Sequence, residues 1–202
     1  MKLYYARGAC SLSVHIALRE ADLKFDTERV DTKTKQLEGG GDFTKVNPNG
    51  FVPVLVLDNG EQLTEAKVLL EYVADQKPSA GLAPPPGTMP RYRMMEWLSF
   101  ISSELHKSYS PLFSPATPED YKPIVRQKLV QRLGYVNSKL EGRQYLLGDQ
   151  FTVADCYMFV VVNWSKAMNI DLTPYPDLQQ YQERVRNRPA VQAAMRAEGL
   201  LK

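Results

Sequence analysis

KPSAGLAPPPGTMP, Lys77–Pro90, separates two stretches of chain with different patterning. Its five prolines cannot continue a helix or enter a central strand. Upstream, Lys2 to Ala6 is short and rich in Leu and Tyr, as a strand is. From Ser11 the residues Leu12, Ile16, Ala17 and Leu23 follow helical spacing. Phe25 to Val30 alternates in the strand manner, and a polar segment containing Gly39, Gly40 and Gly41 then interrupts regular structure. Val52 to Leu57 reads as a strand, Asn59-Gly60 as a tight hairpin turn and Glu61 to Thr64 as the returning partner. Ala66 to Asp75 is helical, with Val68, Leu69, Tyr72 and Val73 on one side.

Downstream only helical spacings occur. Tyr92 to Ser108 carries Met94, Leu98, Ile101 and Leu105 at spacings of four, three and four. Glu119 to Leu140 is a second long periodic segment. Thr152 to Met168 is nearly all apolar and is predicted to be a buried central helix. It opens with Thr152-Val153-Ala154-Asp155, a capping-box spacing with Asp in place of Glu. A final helical region begins near Asp177, and Pro189 starts or breaks a turn in it. The pattern predicts an α/β domain over 1–78, a linker over 79–88 and an all-α domain over 89–202.

The 202 residues suffice for a sizeable core, and 44% hydrophobic with 24% charged residues is ordinary for a soluble protein. A formal net charge of +2 offers no argument for nucleic acid or an anionic membrane as partner. Arg126, Lys128 and Arg132 are interspersed with apolar residues and read as a solvated helix face. MKLYYARGAC lacks a signal peptide's apolar core, and no apolar run approaches the ~20 residues needed to span a bilayer. A cytoplasmic location and no membrane association are expected. The two cysteines, Cys10 and Cys156, lie far apart and give no disulfide framework, and no metal is expected.

Cys10 falls where the first strand gives way to the first helix. A thiol there meets unsatisfied N–H groups and the positive end of the helix dipole, both of which favour the reactive thiolate. In the motif Cys10-Ser11-Leu12-Ser13 the position of a resolving thiol is taken by Ser13, so only a mixed disulfide with an external thiol can form. Position alone leaves a second reading open, that Cys10 is a small buried hydrophobe. Cys156, inside the apolar helix, reads as structural.

The ordered blocks MKLYY, GACSLS, HIALRE, VNPNGFVPVL, LDNG, LTE, EYVADQ, EWLSFISSELHKSYSPLF, LLGDQFTVAD and AEGLLK span essentially the whole chain. Together they resemble the cytosolic glutathione transferases, and in detail the bacterial beta class. The resemblance implies a thioredoxin-like first domain, an all-helical second domain and a homodimer. It implies a transferase that conjugates reduced glutathione to electrophilic apolar substrates, with thiol–disulfide exchange through Cys10, and exchange as the activity Cys10 favours.

Residue by residue, the resemblance places Cys10 at the glutathione sulfur. It makes Pro53 a cis proline and Val52 a backbone anchor for the cysteinyl unit. Glu65 and Ala66 then face the γ-glutamyl end at a helix N-terminus, and Lys35 faces the glycine carboxylate. Helix-dipole complementation at Glu65 and plain solvation at Lys35 remain open from the sequence. In the second domain Ser99, Ser103 and His106, spaced four and three apart, form one polar stripe that lines either a cleft or solvent. The resemblance makes His106 catalytic, brings Ser99, Ser103, Glu104, Leu105 and Lys107 to the ligand, and lets Glu104 reach a partner subunit. Relatives commonly have Ser or Gly at position 66, Asn at 99 and Pro at 7 and 14. Here Ala66 supplies no hydroxyl, Ser99 reaches less far and Arg7 adds a cation near Cys10. Two rivals stand beside the transferase reading: a non-catalytic ligand-binding or interaction protein of the same fold, and a glutathione-dependent reductive dehalogenase.

Overall fold

The computed structural model describes all 202 residues, Met1–Lys202. They divide into two compact units, Met1–Ala83 with Arg188–Lys202 and Pro84–Asn187. The helix expected to close the second domain therefore belongs with the first unit, which differs from a second domain running over 89–202.

In the first unit β1 (Lys2–Tyr5), α1 (Ser11–Glu20), β2 (Asp26–Arg29), β3 (Val54–Val56), β4 (Gln62–Thr64) and α2 (Ala66–Gln76) occur in that order. The sheet order is β2-β1-β3-β4, with β1 parallel to β2 and antiparallel to β3, and β3 antiparallel to β4. The crossover connection that a parallel pair demands is supplied by α1. α1 packs against α2 and against α8 (Pro189–Ala197), whose membership in this unit explains why α1 is buried on nearly every side. Val30, Phe43 and Val54 form a further core cluster with Tyr4, Leu37, Val46, Val52 and Val56 packed on it. The glycine-containing segment after β2 is thus folded against the sheet.

In the second unit the predicted helix over 92–108 is three pieces: α3 (Met89–Phe100), a π-helical turn (Ile101–His106) and α4 (Lys107–Phe113). α5 (Tyr121–Leu140), α6 (Val153–Ala167) and α7 (Pro176–Arg186) complete it. α6 is central and buried, as its composition predicts. Its capping box closes, with Asp155 Oδ2 accepting from the Thr152 N–H at 2.8 Å and from the Thr152 hydroxyl at 3.0 Å. No helix is long and apolar enough to cross a membrane. The face expected to be solvated is partly engaged: Arg132 pairs with Glu104, and Arg126 donates to the Met168 carbonyl.

Candidate functional site

Cys10 is the N-cap residue of α1, at the junction the sequence indicates. Its side chain is buried, and Sγ donates to the Val52 carbonyl at 3.4 Å. Burial pushes the thiol up to about 12, outweighing the Ser11 and Cys10 N–H groups that pull the other way. The expected thiolate is therefore corrected: in the free chain the helix terminus supplies donors, but desolvation wins. Arg7 is not among the charges that act on the thiol; its guanidinium is turned to the Gly199 carbonyl.

Val52–Pro53 is cis, as the resemblance implies, and Pro53 is buried. The Val52 N–H makes no hydrogen bond within the chain, so the backbone edge beside Cys10 is open. Lys35 is half-buried, with Nζ donating to the Gly50 carbonyl at 2.8 Å and lying 5.7 Å from the centre of the Phe51 ring. The three ammonium protons leave it donors to spare. Glu65 is exposed, caps α2 with no side-chain bond to the helix, and adopts φ 68 and ψ 110. An L-residue held there is strained by about 1–3 kcal/mol. Ala66, buried, opens α2 with its N–H in the unsatisfied first turn. Cys10, Val52 and Pro53 are thus brought together, with Glu65 close enough for its charge to act on the thiol.

The π-helical turn reorganises the second unit's polar residues. The Lys107 N–H donates to the Ser102 carbonyl, five residues back. One inserted residue rotates the next part of the helix by about 100° around its axis, so Ser99 and the later residues do not share one α-helical stripe. Serine hydroxyls bond back along the same stretch, Ser103 to Ser99 O at 3.0 Å and Ser108 to Glu104 O at 2.7 Å. Pro111 in α4 adds a missing N–H to the same irregular stretch. Ser99, Ser103 and Lys107 are exposed, and Leu105 is fully buried, which makes its side chain a core residue. Glu104 is held within its own chain by Arg132 at 2.9 Å, with Lys128 at 3.9 Å.

His106 ends the π turn half-buried. Its Nδ1 lies 2.6 Å from the Tyr157 hydroxyl of α6, and its ring meets Trp164 edge-on at 4.9 Å. Burial, with Lys107 adding repulsion, lowers its pKa to about 4, so the imidazole is neutral at physiological pH. Sequence patterning does not single out Tyr157 or Trp164. A signal is nonetheless there, since a tyrosine in an otherwise apolar buried helix needs a partner for its hydroxyl. No group of three or more His, Cys, Asp or Glu could hold a metal ion.

Residues 8–76 match the glutathione S-transferase N-terminal domain family, and residues 94–189 match the glutathione S-transferase C-terminal domain family. A glutathione S-transferase GstA of Escherichia coli O157:H7 is 45% identical over 200 residues, covering 99% of this chain and 100% of that protein. A ternary complex of BphK, a bacterial GST, superposes with a TM-score of 0.97 at 57% identity, covering 98% of this chain and 100% of that one. A sphingomonad glutathione S-transferase complexed with glutathione gives 0.96 at 45% identity, covering 100% of both chains. The chain belongs to the glutathione S-transferase family and is a transferase of that kind. Within the family it is similar to the bacterial beta class, represented by the Sphingomonas chungbukensis enzyme at 46% identity and a TM-score of 0.96 over 100% of both chains.

Proposed function

We propose that the protein conjugates reduced glutathione to an electrophilic apolar substrate, and that the first unit holds the tripeptide. The observation that carries this reading is Val52: an unpaired N–H and a carbonyl side by side with Cys10 Sγ. A cysteinyl unit pairing antiparallel with that edge brings its sulfur toward Cys10. Lys35 then serves the glycine carboxylate, Glu65 the γ-glutamyl ammonium and the Ala66 N–H the adjoining carboxylate. When the cysteinyl N–H of the tripeptide takes over the Val52 carbonyl, the Cys10 S–H is released from it and donates to the glutathione sulfur. That role favours conjugation over the Cys10-dependent disulfide exchange expected from the sequence, which requires the thiolate.

In the second unit we assign catalysis to His106 and contacts to Ser99, Ser103, Glu104, Lys107 and the Leu105 backbone. The same reading makes the protein a homodimer, a state that light scattering measures directly.

Calorimetric titration with glutathione, followed by turnover of an activated aryl chloride, tests the proposal. Binding that weakens about ten-fold in Lys35→Ala and in Glu65→Ala supports it, since each loses one charge-assisted contact. Wild-type binding without turnover would favour a non-catalytic binding protein. Halide release coupled to glutathione disulfide, with no conjugate, would favour reductive dehalogenation. Intact-mass measurement before and after reductant shows whether a glutathione adduct sits on Cys10.

A further inference from the structure

We propose that Tyr157 is a positioning residue for His106, its hydroxyl holding Nδ1 so that Nε2 carries the ring proton. The proposal rests on the transferase reading only for what that proton serves. The two side chains come from different elements, the π turn and α6, which pack together. Tyr157 is 2% exposed, so its hydroxyl cannot turn to water, and the 2.6 Å contact is short for a neutral pair.

The direction of this bond is set by the chemistry of the partners. An imidazole nitrogen is much the more basic atom, and a phenol O–H is a good donor. The hydroxyl therefore donates, Nδ1 accepts, and the ring proton is left on Nε2. Packing holds the imidazole in place for this bond: the Tyr157 and His106 rings meet at 88°, and Trp164 stands at 67° to the imidazole. Trp164 is braced in turn by Tyr109 and Phe113, whose rings meet it at 84° and 88°. Tyr109 is itself fixed, with its hydroxyl 2.6 Å from Ser165 Oγ.

Nε2 has no hydrogen-bond partner within the chain. A neutral imidazole held this way is a donor there and has no lone pair to offer as a base. It serves the reaction by hydrogen-bonding negative charge as it forms, on the attacking sulfur or on the leaving group. The π turn determines where the donor sits, and Tyr157 determines which nitrogen bears the proton.

Ring-nitrogen NMR of isotope-labelled protein tests this, with His106 assigned by the signals lost in His106→Ala. The wild type should show Nδ1 unprotonated and Nε2 protonated. Tyr157→Phe keeps the packing and removes only the hydroxyl. It should give a mixture of tautomers and lower kcat about ten-fold, with the KM for glutathione changed less than about two-fold. A proton on Nδ1 in the wild type overturns the proposal, and does so even if the variant fails to fold. So does a Tyr157→Phe variant that retains the single Nε2 tautomer, or one with full turnover while His106→Ala is inactive. If the tautomers behave as expected but His106→Ala retains full turnover, the positioning stands and the catalytic assignment of His106 falls.

Discussion

Glu198 and Gly8, separated by 190 residues, are joined by a hydrogen bond in which Glu198 Oε2 accepts the Gly8 N–H at 2.9 Å. The other carboxylate oxygen lies 3.0 Å from His15 Nδ1, while Arg19 Nε donates to His15 Nε2 at 3.0 Å. With Nε2 accepting, Nδ1 carries the proton and donates to Glu198. A carboxylate near the end of the chain thus fixes the turn that leads into Cys10 and the buried face of α1.

Glu198→Ala removes the acceptor shared by the half-buried Gly8 N–H and the buried His15 ring N–H. It should cost about 3 kcal/mol of unfolding free energy, read from urea denaturation. Glu198→Gln retains an acceptor oxygen and should lose less than half of that. Equal loss in both variants would show that the charge, and not the hydrogen bonding, matters.

Asp155 accepts from the Thr152 N–H and hydroxyl, the Leu146 N–H and the Tyr181 hydroxyl. Asp155→Ala orphans these donors inside the protein. It should cost about 2–4 kcal/mol, while glutathione affinity in the folded fraction stays within about two-fold. A variant that melts normally but has lost affinity would move Asp155 from the fold to the site.

The same carboxyl carries a pH signature. Burial raises it from 3.8 to about 6, so between these values the folded chain binds more protons than the unfolded one. Its contribution is fully present below pH 4, is lost as pH rises toward 6, and is constant above. Asp155→Asn should remove that slope from stability measured across pH 4 to 7.

Glu65→Gly should raise stability by about 1 kcal/mol, because glycine adopts φ 68 without the strain an L-residue bears. Glutathione affinity should fall with the lost carboxylate. A variant gaining stability without losing affinity would show that Glu65 serves only the helix terminus.

At pH 8 a thiol titrating near 12 holds about one thiolate in ten thousand. A thiolate of higher pKa is intrinsically more nucleophilic, which offsets part of that deficit. Iodoacetamide should therefore modify Cys10 in the free protein about a hundred-fold more slowly than free cysteine, by intact mass. Rapid modification would mean that the thiol is ionised.

Much of this architecture is legible from local signals. Hydrophobic period locates β1, α1 and α6, Asn59-Gly60 marks the hairpin, and the prolines of 77–90 mark the change from mixed to helical structure. The positions of Cys10, Val52 and Glu65 at element boundaries are legible for the same reason. Their environments are not. Whether Cys10 is a thiolate depends on how completely its surroundings exclude water, which no spacing encodes. The turn at 101–106 reads as α-helix because one inserted residue leaves composition unchanged. The positive φ of Glu65 carries no glycine to announce it. Arg188–Lys202 come after helical segments in sequence but pack on α1, a long-range choice made by α8's apolar face.

That last arrangement bears on synthesis. The first unit is discontinuous, closed by Arg188–Lys202 only after the whole of Pro84–Asn187 has been translated. A ribosome delivering the chain in order exposes β1, α1 and the Cys10 turn long before Glu198 exists to bind Gly8 and His15. Until then the unit that begins first cannot finish first. The order of translation and the order of completion are reversed, and the nascent Cys10 turn waits unsecured on the emerging chain.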